Sequence, residues 1–210
     1  MASSTNVGRL ITLEGGEGAG KSSQVEVVAA TIRAQHRDVL ITREPGGTAL
    51  GEAIRGVLMQ TYEQPMPPMS ELLLMFAARA AHLEQIIEPA LARGTWVVSD
   101  RFTDASYAYQ GAARGLGAEA VATLEQLVQK ERRPDRVLLF DLPVETGLER
   151  ADRRGQGNRF DQETALFHER VRSAYLERAA GAPQRYRIID AARPRHDVAR
   201  QIEAALAAWS

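Results

Sequence analysis

The chain has 210 residues, 44% hydrophobic and 25% charged, with 26 Lys and Arg against 27 Asp and Glu and no cysteine. Such values suit one globular domain with enough apolar residues for an unassisted core, and they exclude a disulfide scaffold, a thiol nucleophile and a thiolate zinc site. A net charge of −1 argues against bulk binding to nucleic acid or an acidic membrane surface.

The opening Met-Ala-Ser-Ser-Thr-Asn-Val-Gly has neither a basic segment nor an apolar one, so no signal peptide is expected there. The longest uncharged apolar run, Leu72–Ala78, is far too short to span a bilayer. The expectation is a cytoplasmic protein.

Along the chain, short β-branched runs alternate with longer segments of helical period. The predicted strands are Arg9–Leu13, Asp38–Thr42, Thr95–Ser99, Arg136–Asp141 and Arg185–Ile189. Each is short and apolar, as in a parallel sheet buried on both faces. The predicted helical segments are Lys21–Gln35, Thr48–Met59, Ser70–Arg93, Asp104–Lys130, Pro143–Gly181 and His196–Ala208. This alternation predicts an α/β fold: a doubly wound, five-stranded parallel sheet flanked by helices. Ligands of such sheets bind beyond the carboxyl ends of the strands. The proline-rich Thr61–Met69 reads as a rigid loop. Arg150–Asp161 carries Arg150, Arg153, Arg154 and Arg159 around two glycines, which reads as a solvated charged turn or as a mobile lid closing on an anion.

Directly after the first strand comes Gly15-Gly16-Glu17-Gly18-Ala19-Gly20-Lys21-Ser22, a match to the phosphate-binding P-loop. Its glycines let backbone N–H groups converge on an anion at a helix N-terminus. Lys21 supplies positive charge for the β- and γ-phosphates, and the Ser22 hydroxyl is suited to Mg²⁺. No Asn-Lys-x-Asp motif accompanies it, which excludes the usual guanine-specific switches. Polar residues also follow the other strands: Thr42-Arg43-Glu44-Pro45-Gly46-Gly47-Thr48 after the second, and Asp100-Arg101-Phe102 after the third, with Ser106, Tyr109 and Gln110 beyond. Arg79 interrupts an apolar helical stretch. Arginines around the mouth beside a P-loop suit a second phosphorylated substrate, because guanidinium forks match phosphate oxygens.

Taken together, the P-loop, Thr42–Thr48, Asp100-Arg101-Phe102 and the following Ser-x-x-Tyr-Gln resemble bacterial thymidylate kinases, nucleoside monophosphate kinases of the P-loop type, from Ile11 to about Trp209. The resemblance implies a single P-loop kinase domain over 1–210 with a lid near 150–161, a homodimer, and γ-phosphoryl transfer from ATP to dTMP with Mg²⁺ in dTTP biosynthesis. Neither nucleic acid nor membrane is an expected partner. Gly15, Gly16, Glu17, Gly18, Ala19, Gly20, Lys21 and Ser22 would cradle ATP, and Ser22 and Asp100 would position the metal. Lys21, Arg101 and one or more of Arg153, Arg154 and Arg159 would stabilise the transferring group, with Glu17 near the acceptor. Arg43, Glu44, Pro45, Arg55 and Arg101 fall on the acceptor side. Arg79 would face thymine O4, Ser106 and Gln110 the N3 side, and Tyr109 the sugar, where its bulk would exclude a ribose 2′-OH.

Some family members carry a P-loop arginine where this chain has Gly18, and most stack thymine on a phenylalanine four residues before the helical arginine. Here Met75 holds that place and Phe76 follows it, so Met75 is expected against the base with Phe76 packing beside it. No Gly or Pro lies between Ser70 and Glu88, so no helical bulge is expected to shift that register. The run Leu72–Ala78 is a dimer surface or plain core. Another acceptor, a monophosphate or a deoxynucleoside, is the alternative within kinases; a P-loop ATPase acting on a partner protein is the alternative outside them. His36, His82, His168 and His196 show no metal-ligand spacing and read as surface or packing residues.

Overall fold

The computed structural model describes residues 7–153, 159, 160 and 162–209. Five strands, β1 (Leu10–Gly15), β2 (Val39–Arg43), β3 (Trp96–Asp100), β4 (Arg136–Asp141) and β5 (Tyr186–Asp190), form a sheet in the order β2-β3-β1-β4-β5, with every pairing parallel. The alternation of side chains along β1 assigns its two faces. Ile11 and Leu13 face Val28 and Ile32 of α1 (Lys21–Arg33) and Ile202 and Leu206 of α9 (Arg195–Ala207). On the opposite face, Leu10 joins Val97, Ile87 and Phe102, while Val137 and Leu139 of β4 pack on Phe167, Val171 and Tyr175 of α8 (Ala165–Gly181). Burial on both faces holds for β1, β3 and β4. The edge strands differ: Ile41 and Ile188 are exposed because nothing covers them there.

Three predicted helices are interrupted. The Ser70–Arg93 segment divides into α3 (Pro68–His82), a π-helical turn over Leu83–Ile87 and α4 (Glu88–Ala92). The expectation of an unbroken helix before Glu88 fails because Pro89 has no N–H to donate and its ring collides with the preceding turn; widening that turn relieves the clash. Between Met75 and Arg79 the helix remains regular. The Asp104–Lys130 segment divides into α5 (Thr103–Ser106), a π-helical stretch Tyr107–Ala113 and α6 (Gly117–Gln129). Gly115 and Gly117, both at positive φ, make that last break. The Pro143–Gly181 segment is α7 (Val144–Asp152) and α8, separated by the arginine-rich stretch, in which Arg154 lies outside the described residues. The remaining helix, α2 (Ala49–Met59), is capped by Thr48, whose side chain accepts the Gly51 N–H.

One close approach fixes the P-loop against α7. Gly18 has φ 69°, and a Cβ there would lie 2.0 Å from the Gly147 carbonyl oxygen. A Cβ on Gly147 would lie 2.5 Å from the Glu17 oxygen. This backbone-on-backbone packing explains why an arginine does not occupy position 18 here. Gly147→Ala is therefore expected to push α7 off the loop and cost about 1–3 kcal/mol of stability, read as a lower melting temperature and a raised ATP Michaelis constant.

Candidate functional site

A cavity of about 650 Å³ opens above the carboxyl ends of the strands. The P-loop from Glu17 onward forms its floor, with Arg43, Glu44, Pro45, Arg55, Met75 and Tyr109 on one side. Arg150, Arg193 and Arg195 line the other. One space thus holds a phosphate cradle between two arginine-bearing walls.

Lys21 is buried, and its Nζ donates to the carbonyls of Gly15 (3.0 Å) and Gly16 (2.9 Å), so the lysine staples the loop it belongs to. Burial, then the nearby Arg101 charge, pushes its ammonium down to about 8. Ser22 Oγ donates to Asp100 Oδ2 at 2.8 Å, joining the start of α1 to the end of β3. The other Asp100 oxygen, Oδ1, is buried and has no hydrogen-bond partner. Among the described residues no three of His, Cys, Asp and Glu gather as a protein metal cage.

Arg101 adopts φ 71°, an unusual backbone for a residue with a side chain. Its surroundings explain how that is held. The guanidinium donates through Nη1 to Gly15 O (3.0 Å) and Tyr175 Oη (3.3 Å), and through Nη2 to Glu17 Oε1 (2.6 Å), while lying over the Tyr109 ring. Burial works against its charge, but Tyr109, Glu17, Tyr175 and Asp100 together hold it well above its ordinary value. The next residue is pinned as well: the Phe102 N–H donates to Glu14 Oε1 at 2.7 Å, and Tyr175 Oη donates to Glu14 Oε2 at 2.9 Å. Glu14 is fully buried, and burial, reinforced by the Asp104 charge, pushes its carboxyl from 4.5 up to about 8.

Behind the wall of Arg43, Glu44, Pro45 and Met75 lies a buried polar chain. Glu44 pairs through Oε2 with Arg79 Nε (2.8 Å) and through Oε1 with His82 Nδ1 (3.0 Å), whose Nε2 reaches Thr42 Oγ1 (2.6 Å). His82 is therefore neither a surface nor a mere packing residue, a role its isolated position in the sequence did not signal. Arg79 Nη2 donates to Ser106 Oγ at 3.1 Å, and its guanidinium lies over the Phe76 ring. Among the described residues, Arg79 Nη1, a donor, and Gln110 Oε1, an acceptor, are buried without a hydrogen-bond partner. Arg43 pairs with Glu52 at the exposed rim, and Arg55 donates to the Pro45 carbonyl.

Met75 is half-buried and lines the cavity. Phe76 packs instead with Leu72 and Val121 and, like Arg79, Ser106 and Gln110, is not among the lining residues. Within Leu72–Ala78, Leu72, Phe76 and Ala78 are core, while Leu73 is exposed.

The described arginines of 150–161 separate. Arg153 is exposed and pairs with Glu149; Arg159 donates to Leu58 O and pairs with buried Glu71 at 2.8 Å. Neither lines the cavity, whereas Arg150 does, tied to Ala191 O. Sequence reasoning passed over Arg193 and Arg195 as well, although both follow β5 directly and so occupy the ligand end of the sheet.

A family model described as thymidylate kinase matches residues 13–202. The chain belongs to the thymidylate kinase family. It is 59% identical to thymidylate kinase of Pseudomonas entomophila over 95% of each chain. It is 58% identical to that of Pseudomonas putida over 93% of this chain and 95% of the relative, and 54% identical to that of Alcanivorax borkumensis over 93% and 94%. Among the described residues no helix is long and apolar enough to cross a membrane.

The raised Glu14 carboxyl gives a pH prediction. Its folded-state pKa exceeds its unfolded value, so the folded chain holds the extra proton between about 4.5 and about 8. That contribution to stability is complete at the acid end of this window and is lost as pH rises through it. Glu14→Gln is expected to flatten this decline, measured as urea midpoints across the same pH range.

Proposed function

We propose that this chain transfers the γ-phosphoryl group of ATP to dTMP, giving dTDP and ADP. The observation that carries the reading is the shared cavity. The phosphate cradle of β1–α1 and the acceptor wall of Arg43, Arg55, Met75 and Tyr109 enclose one space, and Arg101 sits between them.

The P-loop N–H groups and Lys21 would hold the donor phosphates, with Lys21 exchanging its loop carbonyls for phosphate oxygens. Ser22 and Asp100 fit Mg²⁺: a hydroxyl and a carboxylate are hard oxygen donors, and buried Asp100 Oδ1 lacks any other partner. Bound with ATP, Mg²⁺ would neutralise charge on the phosphate oxygens. Arg101, already oriented by Gly15, Glu17 and Tyr175, would stabilise charge spread over the transferring group without reorganising. A dTMP phosphate oxygen attacks in line and ADP departs, so positioning and electrostatics suffice and no general base is required.

For the base, the two unpartnered atoms are complementary to thymine. Arg79 Nη1 would donate to O4, and Gln110 Oε1 would accept from N3–H; cytosine presents the reverse pattern and would leave both unpaired. Met75, one helical turn before Arg79, would lie against the ring. Tyr109 is fixed edge-on against Phe160, Phe167 and Tyr175, which suits it to wall off a ribose 2′-OH. The chain is proposed to act as a homodimer in the cytoplasm.

An ADP-release assay across dTMP, dUMP, dCMP, dGMP and thymidine tests the proposal. Turnover should be highest with dTMP, and equal ADP release without any acceptor would refute it. Lys21→Ala and Arg101→Ala are each expected to lower kcat by about a hundredfold or more, with the fold retained by circular dichroism. Met75→Ala should raise the dTMP Michaelis constant several-fold with little change in melting temperature. Phe76→Ala should instead cost about 3–5 kcal/mol of stability, the signature of a core residue.

A further inference from the structure

The acceptor pocket works only if Gln110 presents its oxygen, and an amide has two ends. Glu71 decides between them. Its carboxylate, in the first turn of α3, is completely buried, and Oε1 accepts the Gln110 Nε2 hydrogen at 2.7 Å. A carboxylate offers only acceptors, so the NH₂ end of Gln110 must turn toward it. The oxygen end is left buried and without a partner. Without Glu71 the amide would be free to rotate by half a turn and offer a donor in place of that acceptor.

Glu71 is itself clamped. Arg159 Nη2 reaches Oε2 at 2.8 Å, and Arg114 Nε lies 3.3 Å from the same oxygen while donating to Oε1 at 3.4 Å. Arg114 also pairs with Glu163 at 2.6 Å. Two guanidiniums, one within the arginine-rich stretch and one following the π-helical segment, therefore hold the carboxylate where Gln110 needs it. A salt bridge placed for stability alone would not require a third, neutral partner whose far end is left unsatisfied.

We infer that Glu71 is a specificity-setting positioning residue: by fixing the sense of the Gln110 amide, it makes the acceptor site select a pyrimidine bearing a hydrogen on N3. The inference rests on the reading of Gln110 as a base contact and extends it to a residue that does not touch the base. Arg159 accordingly serves this acceptor-side clamp rather than the transferring phosphoryl group.

The test uses the full-length chain and compares kcat/KM for dTMP with the inhibition constant of dCMP competing against dTMP. In Glu71→Gln, the new amide offers Gln110 both a donor and an acceptor, and the preference for dTMP over dCMP is expected to fall at least about tenfold. The loss should appear in the dTMP Michaelis constant, with kcat at saturation and the ATP Michaelis constant nearly unchanged. Glu71→Asp keeps the charge for Arg114 and Arg159 but withdraws it from Gln110, so the same loss is expected even if the first variant folds poorly. Gln110→Leu supplies the control. If Gln110→Leu lowers the preference and both Glu71 variants keep it, the role of Glu71 is overturned while the base contact stands. If Gln110→Leu keeps the preference, the base contact itself is wrong and the inference fails with it.

Discussion

Glu14 joins the end of β1 to the turn after β3, and the geometry of the cavity follows from that joint. Its two oxygens are spent on the Phe102 amide and the Tyr175 hydroxyl, which places the left-handed Arg101 between the P-loop and the acceptor wall. Parallel strands bring these residues within reach because β1 and β3 pair directly, with Leu13 opposite Asp100. The buried joint lets Arg101 hold a strained backbone and a fixed guanidinium at once. Strain of that kind persists only where neighbouring contacts over-determine it.

The same device recurs deeper on the acceptor side. Glu44 anchors Arg79, and Glu71 anchors Arg159 and Arg114, each from a carboxylate with little or no exposure. Burying such pairs costs solvation that their attraction recovers only in part, so they are weak devices for stability. They are effective devices for orientation. In each case a carboxylate fixes the direction of a donor, and two atoms unpartnered among the described residues, Arg79 Nη1 and Gln110 Oε1, lie at the ends of these chains. A polar group left unpaired until its ligand arrives discriminates strongly among ligands, because the wrong one leaves it unpaired.

Arrangement of charge also separates the two walls. One wall carries Arg150, Arg193 and Arg195, and Arg150 and Arg195 donate to the backbone carbonyls of Ala191 and Ser23. Among the described residues neither of these two guanidiniums has a carboxylate partner, whereas Arg193 on the same wall is paired with Asp190. Arg79 and Arg159, by contrast, are paired with the buried acids Glu44 and Glu71, which commits them to direction rather than to bulk attraction.

The sequence alone determined the α/β class, the five strands and the P-loop, because these rest on local signals: short apolar runs, a glycine spacing, a lysine and serine at fixed offset. It also determined that Arg79 had to be satisfied somewhere, since a charge in an apolar helix must find partners. Helix interruptions were less legible, because a π turn before Pro89 and another at Tyr107–Ala113 leave little mark on an apolar period. Only the tertiary structure decided which partners were found. Glu14, Glu71, Tyr175 and His82 belong to no local motif, and nothing in their flanking sequence distinguishes them. Their roles arise from pairings such as Glu14 with Tyr175 and Glu71 with Gln110, which the sheet and its crossovers bring together from distant parts of the chain. Likewise, Arg150 lines the cavity while Arg159 pairs with Glu71, a division that a chain of similar guanidiniums does not encode locally.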